Sequence, residues 1–172
     1  AAIGFVRLWS DDWKDYPDGR AQMGGMLREY KDDGLRIATS EAGLLPLYSK
    51  CPSLDTWGLN DFEIAREGII TLARLEAFNP DLVFFHAYDS PSAAGTTGLK
   101  GWSEMVAVLR AYVAKHGFVL AAAYGVSPED LHYYYVRPEF AAKTDIVARI
   151  AGMKYPWPGN GEVAKNYADV EF

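Results

Sequence analysis

The sequence has little of the residue types that most often mark a chemistry. Its one cysteine, Cys51, excludes an internal disulfide and a cysteine zinc cluster. It also argues against a disulfide-rich secreted module. Only three histidines are present, His86, His116 and His132, with no H-x-x-x-H pair and no acidic calcium loop. On that ligand set no metal and no cofactor is expected. Seventeen Lys and Arg face 23 Asp and Glu, for a net charge of −6. A broad basic surface for phosphate backbones is therefore missing, and nucleic acid is not an expected partner. There is no signal peptide, and no apolar run approaches the ~18 residues that a membrane span needs. Phosphate loops of the G-x-G-x-x-G and G-x-x-x-x-G-K-[ST] types are absent, as is the G-x-S-x-G nucleophile elbow. Cys51 precedes Pro52 with no evident base nearby, so thiol catalysis is not expected.

What the chain does have is length and rings. Its 172 residues suit a single domain over 1–172. A chain of this size buries roughly 70% of its extended surface. Eleven Tyr and five Trp suit the faces of sugars, but they also suit a core, which is the commoner use of rings. The opening "AAIGFVRLWS" lacks an initiator Met and is apolar, and reads as the cut end of something longer, either a fragment excised after a membrane span or a processed mature protein.

Apolar periodicity predicts an α/β fold in three layers, with a mostly parallel sheet, helices on both faces and an antiparallel edge hairpin. A helix is predicted over 18–31, capped by Asp18 and ended by Gly34, then a strand over 35–41. "AGLLPLYS" reads as a loop because of Gly43 and Pro46, and 53–58 as a short strand. One helix is predicted over 60–78, with Asn60 or Asp61 as its cap and Gly68 as a weak point. "DLVFFHAY" is the clearest strand, apolar throughout as if covered on both faces. A small-residue loop, a possible lid, follows over 89–101, then an amphipathic helix over 102–117. Strands over 118–125 and 131–138 form the hairpin. A helix over 139–153 and an irregular tail over 154–172 complete the chain.

In open α/β sheets ligands sit outside the carboxyl ends of the strands. Glu41 ends the first strand; His86, Tyr88 and Asp89 end the strongest one; Asp55 and Asp61 flank the stretch between. If those two strands are neighbours, Glu41, His86 and Asp89 share a crevice. The competing reading is structural: Asp61 caps a helix, Asp55 binds loop amides, and His86 is a satisfied buried group. A carboxylate pair for glycoside hydrolysis needs two groups roughly 5 to 9 Å apart, which Asp55 and Asp61 satisfy no better than many loop pairs. Pro46 and Pro52 restrict the intervening loop and Gly43 and Gly58 allow it positive φ, so that it presents Tyr48 and Trp57 in fixed positions.

The strings "GLRIATSEAGLLPLYS" and "LDTWGLNDFEIAR", followed by "NPDLVFFHA", resemble one family over about half of the chain. It is the soluble C-terminal extracytoplasmic domain of multispanning, polyprenyl-phosphate-sugar-dependent glycosyltransferases of the protein mannosyltransferase and arabinofuranosyltransferase type. The resemblance implies a cell-envelope domain packed on the membrane-embedded part of the same polypeptide. That part would hold the catalytic carboxylate. This domain would assist the binding of a glycan acceptor or a lipid-linked sugar donor, with no catalytic residue of its own. Glu41, Tyr48, Asp55, Asn60 and Asp61 carry over as candidate binding or loop-fixing residues, beside Trp57, His86 and Tyr88 from the residue reading. Two alternatives stand beside it. One is a stand-alone glycoside or ester hydrolase using Glu41 or Asp55 with His86. The other is an interaction domain docking through Trp9, Trp13 and Trp157.

Overall fold

A computed structural model describes residue 14 and residues 16–88, 101–159 and 161–169. Six strands form one open sheet in the order β2-β1-β3-β5-β4-β6. They are β1 (Ile37–Thr39), β2 (Ser53–Asp55), β3 (Leu82–Ala87), β4 (Val119–Ser127), β5 (Asp130–Val136) and β6 (Lys165–Asn166). β1 pairs in parallel with both β2 and β3, and the remaining pairs are antiparallel. The fold is α/β. β4 and β5 form the expected hairpin, joined at Pro128 and Glu129, and β5 rather than β4 lies against β3.

Period-two alternation along β3 divides the core. Leu82 and Phe84 enter one cluster, and Val83, Phe85 and Ala87 the other. The first cluster is covered by α1 (Gly19–Leu27) through Met23, Met26 and Leu27. The opposite face is covered by α5 (Trp102–Lys115) through Met105, Leu109 and Tyr112. The triple tyrosine of β5 obeys the same rule: Tyr134 faces α1 while Tyr133 packs with Phe85 on the α5 side, which is core packing on both faces.

Four local departures from the expected elements have physical causes. "LLPLYS" is α2 (Leu44–Ser49), not a loop. Pro46 falls in its first turn, where a backbone N–H has no helical partner and its loss costs nothing. The expected 60–78 helix is two, α3 (Phe62–Glu67) and α4 (Leu72–Phe78). Gly68 at φ +87° ends the first, and the Thr71 side chain caps the second. The expected 139–153 helix is α6 (Pro138–Ala141) and α7 (Ile146–Ala151). The tail is no appendage: it adds β6 to the sheet edge and buries Tyr155 and Trp157. Burial of Trp157 removes it from any docking patch; Trp9, Trp13, Asp89 and all of the 89–101 loop but Gly101 lie outside the described residues.

Candidate functional site

The same alternation that builds the core also gathers the polar residues. On β3 and β5, His86 and His132 are directly opposed cross-strand partners on the α1 face, in step with Phe84 and Tyr134. Glu41 lies two residues past Thr39, which pairs with Phe84, so it arrives on the same face beside His86. Its backbone is pinned there. Glu41 N–H donates to Thr39 Oγ1 at 3.1 Å, and Thr39 Oγ1 donates to the Glu41 carbonyl at 2.9 Å. The His86 N–H donates to Ser40 Oγ at 3.1 Å, tying the carboxyl end of β1 to β3.

Side chains from five segments meet at this point. Asp18 caps α1 by accepting from Arg20 N–H, and the Arg20 guanidinium returns two bonds to the Asp18 carboxylate at 3.0 and 2.6 Å. The same guanidinium donates to Glu41 Oε2. The other Glu41 oxygen lies 3.4 Å from His86 Nδ1. His86 Nε2 bonds Asp130 Oδ1 at 2.5 Å. His132 Nδ1 bonds the Tyr155 hydroxyl at 2.7 Å, which in turn bonds the Tyr134 hydroxyl at 2.9 Å. Gly19 makes room for this arrangement: a Cβ there would meet the Tyr155 ring at 2.4 Å.

Burial and charge act against each other here. Burial alone would raise the Glu41 pKa. The hydrogen bond from His86 and the Arg20 charge outweigh it and hold Glu41 at about 2. Burial would lower His86, but Asp130 and Glu41 on its two nitrogens raise it instead. His132, almost wholly buried and next to His86, is pushed well below the usual histidine range and is neutral. Aromatic rings frame the group. Tyr88 lies 4.5 Å from the His86 ring, Trp157 lies 4.5 Å from the His132 ring, and Trp102 Nε1 donates to the His86 carbonyl at 2.9 Å. Trp57 packs on Trp102 at 5.0 Å.

Of the sequence-derived candidates, the fold brings Glu41, His86 and Tyr88 together, with Trp57 one ring away through Trp102. The others are occupied elsewhere. Asp55 accepts three backbone N–H bonds, from Trp57 (3.1 Å), Gly58 (3.0 Å) and Asn60 (2.7 Å). Asp61 caps α3 by accepting from Glu63 and Ile64, and pairs with Arg74 at 3.2 Å. Asn60 is exposed in the loop that Asp55 fixes. Tyr48 is buried in α2, its ring 6.3 Å from that of Tyr16. The structural reading therefore holds for Asp55 and Asp61, and the two form no acid/base pair.

Sequence reasoning missed Arg20, Asp130, His132 and Tyr155. His132 was legible as a strand residue, but its pairing with His86 depends on the register between β3 and β5, which the sequence does not set. Nothing local marks Arg20 or Tyr155. Among the described residues no helix is long and apolar enough to cross a membrane. A family model described as a domain of unknown function (DUF8728) matches residues 11–135. That span includes every member of the cluster except Tyr155. No curated protein and no solved structure matches the chain.

Proposed function

This chain belongs to the DUF8728 family of domains of unknown function, and we propose that it serves as an accessory, extracytoplasmic domain of a membrane glycosyltransferase. In this reading it helps to hold a glycan acceptor or a polyprenyl-linked sugar donor, and the membrane-embedded part of the same polypeptide makes the bond. The observation that carries the reading is the polar cluster at the carboxyl ends of β1 and β3. There a charged, hydrogen-bonding floor of Glu41, His86 and Asp130 is bordered by the rings of Tyr88 and Trp102. A few convergent polar groups among aromatic rings make the usual chemistry of a small-molecule site. Rings with a polar neighbour suit sugars, which present apolar faces and hydroxyl edges.

The same geometry speaks against hydrolysis. Glu41 and Asp130 stand on either side of the His86 imidazole, 3.4 Å from Nδ1 and 2.5 Å from Nε2. The space where an anomeric carbon and its water would sit is filled by that ring. Asp55, the other candidate acid, is held by three backbone donors.

The test is titration of the purified domain with short oligosaccharides and with a soluble polyprenyl-phosphate-sugar analogue, followed by NMR shifts of the tryptophan indoles. Saturable binding on the order of 1 mM, shifting the Trp102 resonance and lost in Tyr88→Ala, is the expected result. Sugar transfer or glycoside cleavage by this soluble domain alone would overturn the reading. So would the absence of binding to every saccharide tried.

A further inference from the structure

We propose that Glu41, His86 and His132 form a binding site for one divalent transition metal ion, with Zn²⁺ as the ion it fits best. The inference does not rest on the glycan reading and stands or falls without it. One ligand atom from each of the three residues lies within 4.8 Å of the others. Two imidazoles and a carboxylate are the donor set that borderline metals such as zinc prefer over calcium or magnesium. The 3.4 Å between His86 Nδ1 and Glu41 Oε1 matches the edge of a tetrahedron whose metal–ligand bonds are about 2.0 to 2.1 Å. Side-chain rotation brings His132 from its spacing, within 4.8 Å, to the same distance.

The stronger argument is what holds the other atom of each ligand. Functional metal ligands are oriented by partners on their far side. Here all three have one. Asp130 holds His86 Nε2, which leaves Nδ1 facing Glu41. Arg20 holds Glu41 Oε2, which leaves Oε1. Tyr155 holds His132 Nδ1, which leaves Nε2. The Tyr155 hydroxyl is itself relayed to Tyr134, so His132 Nδ1–H can donate outward while Nε2 keeps its lone pair for a metal. Three independent segments have each fixed a ligand and left its coordinating atom on the inner side.

Charge points the same way. Asp18, Glu41 and Asp130 bring three carboxylates to the cluster, and Arg20 is the guanidinium among them. With both imidazoles neutral, the group is two charges short of neutrality, the charge of one divalent ion. Any proton on His86 Nδ1 leaves to solvent as the ion enters, so that the imidazole binds through its lone pair. Three protein ligands keep a fourth position free for water or for an oxygen of a bound molecule.

The test is equilibrium dialysis of the full chain against Zn²⁺ alone, with metal analysis. Co²⁺ substitution adds the visible absorption of a tetrahedral N/O site. One ion per chain is expected, with affinity lowered at least 100-fold in His86→Ala. In Asp130→Asn, where the outer partner keeps an acceptor oxygen but loses its charge, the expected drop is about 10- to 100-fold. His116→Ala, at the exposed pair with Glu76, leaves binding unchanged. Circular dichroism checks that each variant is folded. If His86→Ala is not, the more exposed Asp130→Asn decides. The proposal is overturned by failure of the parent chain to take up a stoichiometric ion. Uptake that Asp130→Asn leaves intact overturns it too, as does uptake that His116→Ala abolishes.

Discussion

Replacing Asp55 separates a loop-fixing carboxylate from a chemical one. The Asp55 side chain is buried, at 7% exposure, and receives three backbone N–H donors. In Asp55→Ala all three lose their acceptor. Gly58 is buried, so its N–H is left without water, at a cost of about 1–3 kcal/mol. Trp57 is half-buried and Asn60 exposed, so their N–H groups recover part of the loss by hydration. The sum is about 2–4 kcal/mol. Asp55→Asn is milder. Its amide oxygen keeps the two bonds at Oδ1, and its NH₂ then faces the Asn60 N–H at the 2.7 Å position, donor against donor. A loss of about 1–2 kcal/mol follows. Urea denaturation followed by tryptophan fluorescence reads both. With a slope of about 2 kcal/mol per M, the Ala variant moves the midpoint by roughly 1 to 2 M. A stability within about 0.5 kcal/mol of the parent in Asp55→Ala would refute the reasoning. Unaltered stability together with abolished ligand binding would move Asp55 from the scaffold into the site.

Three further outcomes are expected. Gly24→Ala places a Cβ 2.8 Å from the Leu45 carbonyl oxygen and 3.1 Å from Tyr48 Cβ, where α1 meets α2. Alanine gains about 1 kcal/mol of helix propensity, yet the overpacking costs about 1–3 kcal/mol. Thermal denaturation should therefore show a net loss, and a stabilised variant would mean that the two helices part freely. Asp61 titrates below its ordinary value of 3.8, because its slight burial is outweighed by the Ile64 and Glu63 N–H donors and by Arg74. Its contribution is thus fully present above pH 3.8 and disappears as pH falls through the lower folded-state value. Asp61→Asn keeps the cap but removes this titration, so its stability should fall less steeply than the parent's as pH drops below 3.8; parallel curves would contradict the assignment. Trp157→Ala opens a hole against His132 and should cost about 3 kcal/mol, measured by calorimetry. A change below about 0.5 kcal/mol would show that the tail does not seal the core.

Much of the architecture could be read from local pattern, because local pattern is what the backbone obeys first. The apolar run of 82–87 was a strand whatever surrounded it. Asp18, Gly34 and Gly117 were turn and cap chemistry whose meaning depends on only a few neighbouring residues. Pro46 misled because proline stops a helix interior but not a first turn, and a short sequence window cannot tell which of the two it is in. Gly68 split a helix whose periodicity ran straight through it.

The polar cluster belongs to another level of organisation. Glu41 and His86 were visible as strand-end residues, since the alternation of each strand fixed the face on which they would lie. That His132 stands across from His86 followed only from β5 lying between β3 and β4 in the sheet. Arg20 and Tyr155, 135 positions apart in the chain, meet the same group because a helix start and a tail both close over one face of that sheet. Segment-by-segment spacing rules found no ligand set here, and could not. The ligands are neighbours through hydrogen-bond register and packing, which bring together residues that no sequence interval relates. The residues themselves decided which side chains could hold a proton, a sugar hydroxyl or an ion. Only the folded sheet decided that they would face one another.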